Sequence, residues 1–211
     1  MVTLKGNKTP LSAVVFDLGN VLLNYDPASF MFNLGISQEK IPRLIEIIDG
    51  RPEYPEYDRG ILMREDIAAL AIRDEPSMRW EINHYIKHKA DCFTAIEPNV
   101  VTFYQLKDAG LKVYLLSDCS EQDYVYCRDH FIFLHDLDGT VISSACKITK
   151  PNPGIFEYLL KTYPEIDPSH TLFIDDKAKN TEAGEKMGFL TLNIPPRGTI
   201  AEHLEITEDQ A

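Results

Sequence analysis

Four groups of polar residues stand at points where apolar runs end. Asp17 closes "AVVFD", Ser117 closes "KVYLLS", Lys150 stands in "KITKPNP", and the pair Asp175 and Asp176 closes "LFIDD". A carboxylate can attack an electrophile, a hydroxyl and an ammonium can donate to anionic oxygens, and an acidic pair can hold a hard divalent cation. Taken singly, each has an ordinary explanation, because an aspartate at a strand end caps a turn and a lysine before proline is solvated. Taken in order along one chain, they have the makings of one site.

The elements that must position them can be read from periodicity. "AVVFDLG", "KVYLLSD" and "LFIDDK" are short runs rich in Val, Ile, Leu and aromatics, bounded by turn residues, as buried parallel strands are. Between the last two lies "PNPGIFEYLLKTYPE", with proline early and Ile155, Phe156, Leu159 and Leu160 on one helical face. After "LFIDD" comes "AKNTEAGEKMG", a helix closed by Gly188, then the strand "FLTLNI". Alternation of this kind predicts an α/β fold, a doubly wound parallel sheet whose ligands bind at the carboxyl ends of the strands.

Residues 27–96 read differently. "SFMFNLGI", "EKIPRLIEII", "REDIAALAI" and "MRWEINHYIKHKA" are helix-like and lack a convincing strand. The expected organisation is therefore an α/β core from residues 1–26 and 97–211, with a helical insertion over 27–96. "EPNVVTFYQLKDAGLK" resumes the core with a helix ending at Gly110, and the final "EITEDQA" reads as a frayed acidic tail.

The 211 residues, 44% of them hydrophobic, can bury a sizeable core. The 33 acidic and 21 basic residues give a formal charge of -12, which argues against a nucleic-acid or anionic-membrane surface and suits a protein that attracts cations. An anionic substrate then needs a local positive site. With no apolar stretch of membrane-spanning length and no apolar leader in "MVTLKGNKTPLSA", a cytoplasmic protein is the expectation. Cys92, Cys119, Cys127 and Cys146 form no C-x-x-C pair and read as reduced structural thiols.

In their order and spacing, "FDLGNV", Ser117, "KPNPGIF" and "IDDKAKNTEAGEKMG" resemble the haloacid dehalogenase superfamily, in the branch with a helical cap after the first motif. The resemblance covers nearly the whole chain. It implies a Rossmann-like core with an inserted cap domain, Asp17 as nucleophile, and Ser117 and Lys150 as donors to a transferring phosphoryl group. It implies Mg²⁺ held by Asp17, by the backbone carbonyl of Gly19 and by Asp176, with Asp175 a second acid of the metal site. It implies phosphate contacts around Leu18, Gly19, Ser117, Asp118 and Lys150, and Asn180 as an orienting residue. The expected activity is an Mg²⁺-dependent phosphatase acting through an aspartyl-phosphate on a small phosphorylated molecule. The "FDLGNV" form resembles a subgroup that includes sugar-1-phosphate phosphatases, so a sugar phosphate is one candidate. A catalytically weak metal- and phosphate-binding protein and a 2-haloacid dehalogenase are the alternatives.

Two departures bear on that expectation. Most phosphatases of the superfamily carry, two residues after the nucleophile, an aspartate that protonates the leaving alcohol; here Gly19 stands there. Such general acid-base help is worth about 10²- to 10⁴-fold in rate. The leaving group can be good enough without it, another residue or water can supply the proton, or turnover has been lost. The second departure is Asp118 where Asn is usual, a carboxylate that disfavours a nearby halide or phosphate unless it is protonated, paired or turned away. An acid lost from one loop and gained on the next makes Asp118, desolvated beneath a cap, a candidate proton donor, against the plainer reading of a solvated loop residue.

Other features are weaker. "HDLDGT" looks more like the usual first motif than "FDLGNV" does, but too few residues separate Asp136 from Lys150 for the intervening strand and helix. It reads as a hairpin-like turn with Asp138 before Gly139. His84 and His88 share a helix face without a third ligand nearby, and read as structural. Arg59 in "EYDRGIL" is the guess for an insertion residue that reaches the substrate.

Overall fold

The apolar runs that end in Asp17, Ser117 and Asp175 lie side by side. In the computed structural model, which describes residues 1–207, the strands are β1 (Val2–Leu4), β2 (Ala13–Phe16), β3 (Leu23–Tyr25), β4 (Phe93–Ala95), β5 (Lys112–Ser117), β6 (Gly139–Ile142), β7 (Thr171–Asp175), β8 (Leu190–Asn193) and β9 (Leu204–Ile206). Five of them form a parallel sheet in the order β6-β5-β2-β7-β8. Phe16 of β2 is level with Leu115 of β5 on one side and Ile174 of β7 on the other, so the polar residues that follow emerge together at one edge. Alternate residues pack on opposite faces. Val14, Phe16, Leu115 and Ile174 enter one apolar cluster, and Val15, Tyr114, Leu116 and Phe173 the other. A strand covered on both faces needs a continuous apolar run, which is the pattern these segments carry.

The helices are α1 (Pro27–Asn33), α2 (Ile41–Ile47), α3 (Tyr54–Asp58), α4 (Arg64–Asp74), α5 (Arg79–His88), α6 (Glu97–Asp108), α7 (Glu121–His130), α8 (Ser143–Cys146), α9 (Pro153–Thr162) and α10 (Ala178–Lys186). The α6 and α10 ends fall where glycine allows a left-handed turn, at Gly110 (φ +85°) and Gly188 (φ +91°). The first five helices enclose an apolar cluster of their own, including Met31, Leu44, Ile48, Tyr57, Ile82 and Tyr85. Asp26 starts this unit by accepting from the Ser29 amide at 3.0 Å, with Pro27 as the first helical residue.

Three local expectations change. Residues 93–95, read as part of a strandless stretch, form β4, which pairs antiparallel with β3, Leu23 opposite Ala95 and Tyr25 opposite Phe93. Three-residue strands are too short to set up a period of two that a sequence can display. The "DLDGT" segment is no hairpin, since it leads into β6, a parallel edge strand beside β5. Asp138 turns inward instead, accepting from the Val113 amide and pairing with Lys107 and Lys112. Finally, Glu205 and Ile206 are not frayed. They pair in β9 with β1, and the Thr207 amide donates to Met1 O at 2.9 Å; residues 208–211 lie outside the described residues.

Candidate active site

Lys150 organises the carboxyl edge of the sheet. It precedes α9, whose start is fixed by the Asn152 side chain accepting from the Gly154 amide at 2.9 Å, and its own side chain runs back under the sheet edge. The buried ammonium donates to Leu116 O at 2.9 Å and Asp175 Oδ2 at 2.7 Å, and stands 2.9 Å from Asp17 Oδ1. Three donors therefore meet three oxygens. Burial opposes its charge, but the Asp17, Asp175 and Asp118 carboxylates outweigh that and hold it well above the usual lysine range.

The acidic pair divides. Asp175 is saturated: Oδ1 accepts from the Lys177 amide at 2.9 Å, and the Asn180 amide group donates to both oxygens at 3.0 Å, besides Lys150. Asn180 thus orients Asp175, which in turn orients Lys150. Asp176 Oδ2 accepts from Asn20 at 3.2 Å, whereas Asp176 Oδ1 is buried without a hydrogen-bond partner among the described residues. Carboxylate oxygens of Asp17, Asp175 and Asp176 lie within 4.8 Å of one another. Burial pushes the Asp17 carboxyl up, Lys150 pulls it down, and the Asp175 charge pushes it up again. A cation beside it would relieve that penalty, and an orphaned carboxylate oxygen on a residue of the same cluster fits a hard divalent ion.

Gly19 and Asn20 make the turn that carries the chain away from Asp17. Asn20 adopts a left-handed conformation (φ 60°), which asparagine tolerates, and its side chain also accepts from the Tyr25 amide. A Cβ added at Gly19 would meet nothing within 4 Å, so the backbone there is not crowded.

These residues surround a cavity of about 150 Å³. Leu18, Gly19, Ser117 and Asp118 line it beside Asp17, Lys150 and Asp176, so the positions singled out in the sequence come together there, with Asp175 directly behind. Asp118 Oδ1 accepts from the Lys150 amide at 2.8 Å; burial raises its pKa, and Lys150 opposes the rise.

The opposite wall, which the sequence does not signal, comes from the helical unit, with Tyr54, Asp58, Lys89 and Phe93, and from Tyr25 of β3 beside it. Lys89 is 2% exposed, donates to Asp123 Oδ2 at 2.8 Å, and lies 5.2 Å from the ring centres of Tyr25 and Tyr57 and 5.8 Å from that of Tyr54. Asp123, on core helix α7, also accepts from Arg64 at 2.7 Å and Tyr57 at 2.7 Å. Burial would raise its pKa, but Lys89 and Arg64 hold it below the ordinary carboxylate value.

Arg59, the sequence's choice for this wall, pairs with Glu56 one turn back and does not line the cavity; its neighbour Asp58 does. His84 stacks on Trp80 and lies near Leu34 O, and His88 pairs with Asp91, both apart from the acidic cluster. All four cysteines are free. No described helix is long and apolar enough to cross a membrane.

Comparison with known proteins finds similar chains over most of this length. The sesquiterpene phosphatase astK of Aspergillus oryzae is 24% identical over 188 residues, 88% of this chain and 91% of its own length. A D-ribitol-5-phosphate phosphatase of Bacteroides thetaiotaomicron is 44% identical over a short stretch of 43 residues, 20% of each chain. Among solved structures, a haloacid dehalogenase family enzyme of Bacteroides thetaiotaomicron superposes with a TM-score of 0.71 at 20% identity, covering 92% of this chain and 98% of the other. A form of that enzyme in complex with magnesium and inorganic phosphate gives 0.69 at 20% identity, over 88% and 95%. A dehalogenase with an intermediate complex gives 0.73 at 20% identity, over 91% and 88%. The family model for haloacid dehalogenase-like hydrolases matches residues 11–188, which takes in the acidic cluster, the lysine and the helical unit alike, and the chain belongs to that family.

Proposed function

We propose that this chain is an Mg²⁺-dependent phosphatase that hydrolyses a small phosphorylated metabolite through an aspartyl-phosphate on Asp17. The observation that carries the reading is that Asp176, whose Oδ1 is buried without a partner, has a carboxylate oxygen within 4.8 Å of those of Asp17 and Asp175, with Lys150 2.9 Å from the nucleophile. Asp17, the Gly19 carbonyl and Asp176 would hold the ion. When bound, Mg²⁺ neutralises charge between the anionic nucleophile and the anionic substrate. Asp17 attacks phosphorus with one carboxylate oxygen, while Lys150 and Ser117 donate to the phosphoryl oxygens and stabilise charge that spreads over them in the transition state. Asp175 and Asn180 keep Lys150 aimed.

The helical unit over residues 27–96 acts as the cap, excluding water and selecting the substrate. Tyr54 and Phe93 of that unit, with Tyr25 of β3, offer apolar faces, and a cavity of about 150 Å³ restricts the substrate to a small molecule. The "FDLGNV" motif, the family match and two phosphatases among the relatives support the same reading. Several carboxylates around the cavity suit a cation and phosphate together better than a departing halide.

The test is release of phosphate from 4-nitrophenyl phosphate and a panel of sugar phosphates, with Mg²⁺ and with a chelator. Turnover that needs the metal and disappears in Asp17→Asn is the expected result. Metal-dependent binding of phosphate without turnover on any ester would instead make the chain a binding protein.

A further inference from the structure

We propose that Asp58 is the general acid-base of this reaction, brought by the helical unit to the cavity that Gly19 also lines; the inference rests on the phosphatase reading above.

The first argument is elimination among the acids of the cavity. Asp17 is the nucleophile. Asp176 accepts from Asn20 and belongs to the acidic cluster, and Asp123 is occupied by Lys89, Arg64 and Tyr57. Asp118 accepts from the Lys150 amide, a bond that favours its ionised form. Asp58 alone among these lining acids has carboxyl oxygens with no hydrogen bond or ion pair to any described residue. Its backbone is nevertheless held in place. Asp58 O accepts from Ser143 Oγ at 2.6 Å, and that hydroxyl oxygen accepts from the Cys119 amide at 2.9 Å, in the loop just after Ser117. The acid is thus anchored to the loop that would bind phosphate.

The second argument is electrostatic. Facing Asp58 are Asp118 and Cys119 from the loop after β5, Asp123 from α7, Tyr54 from its own helix, Lys89 after α5 and Lys177 after β7; Lys147, just after α8, donates to the nearby Gly60 O. Burial and the Asp118 charge raise the Asp58 carboxyl to about 7 against the pull of the two lysines, so near neutral pH it has a proton to give. Of two carboxyls that share a cavity, the one with a donor bond keeps the charge and the other keeps the proton.

The steps balance. Asp17 forms a bond to phosphorus as the bond to the ester oxygen breaks; the leaving oxygen keeps the electron pair and takes the Asp58 proton, giving the alcohol and Asp58 carboxylate. That carboxylate then takes a proton from the water that attacks the aspartyl-phosphate. The phosphorus–Asp17 bond breaks, releasing inorganic phosphate and restoring both acids.

The experiment compares kcat/KM across aryl phosphates from phenyl phosphate, a poor leaving group, to 4-nitrophenyl phosphate, a good one, at saturating Mg²⁺. In Asp58→Asn the phenyl ester should lose about 10²- to 10⁴-fold. The 4-nitrophenyl ester should lose at least about tenfold less, since it leaves without a full proton. Because a Cβ at Gly19 meets nothing within 4 Å, Gly19→Asp in the Asp58→Asn background should restore part of the phenyl phosphate rate. In the unmodified enzyme, kcat/KM for phenyl phosphate should fall above about pH 7 more steeply than for the 4-nitrophenyl ester. Equal losses on both esters, or none, together with matching alkaline limbs, overturn the assignment of Asp58 and leave the phosphatase reading standing. No metal-dependent turnover of any ester by the unmodified protein overturns both.

Discussion

Lys150 and Lys89 are both fully buried ammonium groups on the walls of one cavity, and they are solvated by the protein in different ways. Lys150 meets three oxygens, two of them carboxylates. Lys89 meets one carboxylate and the faces of three tyrosines. Oxygens fix an ammonium in direction as well as charge, which a group that must aim at a reacting phosphate requires. Ring faces stabilise the charge without fixing its hydrogens. Lys89 therefore suits a joint between two packed units, where the charge must be kept while the geometry adjusts.

Replacing each lysine by an isosteric apolar chain should separate the two roles. On the phosphatase reading proposed above, Lys150→Met removes a transition-state donor, and kcat should fall about 10²- to 10³-fold. It also leaves Asp17 and Asp175 facing each other in the interior, and stability without metal should drop by about 3 to 5 kcal/mol, read by urea melts. Lys89→Met leaves Asp123 with Arg64 and Tyr57, so the loss should be nearer 1.5 to 3 kcal/mol, with a raised KM as the main kinetic effect. A larger kcat loss in Lys89→Met than in Lys150→Met would remove the distinction.

The two acidic hubs sharpen the same contrast. Mg²⁺ at about 100 times its Kd should add about 2.7 kcal/mol of stability. Asp176→Ala should abolish that gain and Asp123→Asn should retain it, measured by thermal melts with and without chelator. The reverse pattern would put the ion between the units and not at the sheet edge.

The smallest effect is on pH. Burial and the Asp118 charge push the Asp58 carboxyl from an ordinary 3.8 up to about 7, so between those limits the folded state should hold a proton that the unfolded chain has released. Its contribution is complete below about pH 4, declines as pH rises towards 7, and is flat above. Asp58→Asn should lose less stability than the unmodified protein across that window, and an identical pH profile would place Asp58 among freely solvated acids.

What could be read from the sequence follows the same divide. Asp17, Ser117, Lys150 and the Asp175–Asp176 pair stand at the ends of apolar runs, and a parallel sheet gathers such ends at one edge whatever lies between. Asn180 was within reach because one turn of helix returns it to the pair. Asp58 and Lys89 gain their environments only when the helical unit folds over the core, and nothing local distinguishes them from solvated neighbours in "EYDRG" or "IKHKADC". The local pattern even favoured Arg59, which the neighbouring Glu56 captures. Asn20 is intermediate: an asparagine after glycine signals a turn, but its bond to Asp176 spans 156 residues of chain.

The β3–β4 ribbon brings a mechanical consequence. Both passages between core and helical unit run through one pair of hydrogen-bonded strands, Leu23–Tyr25 against Phe93–Ala95. Two crossings so joined are held to each other by backbone hydrogen bonds, so neither can shift without the other. Beside the ribbon, Lys89 lies 5.2 Å from the Tyr25 ring centre and, with Arg64 and Tyr57, closes on Asp123 of the core. Ribbon and carboxylate thus tie the two parts of the chain together on the same side of the cavity, and the wall they hold is fixed by few contacts.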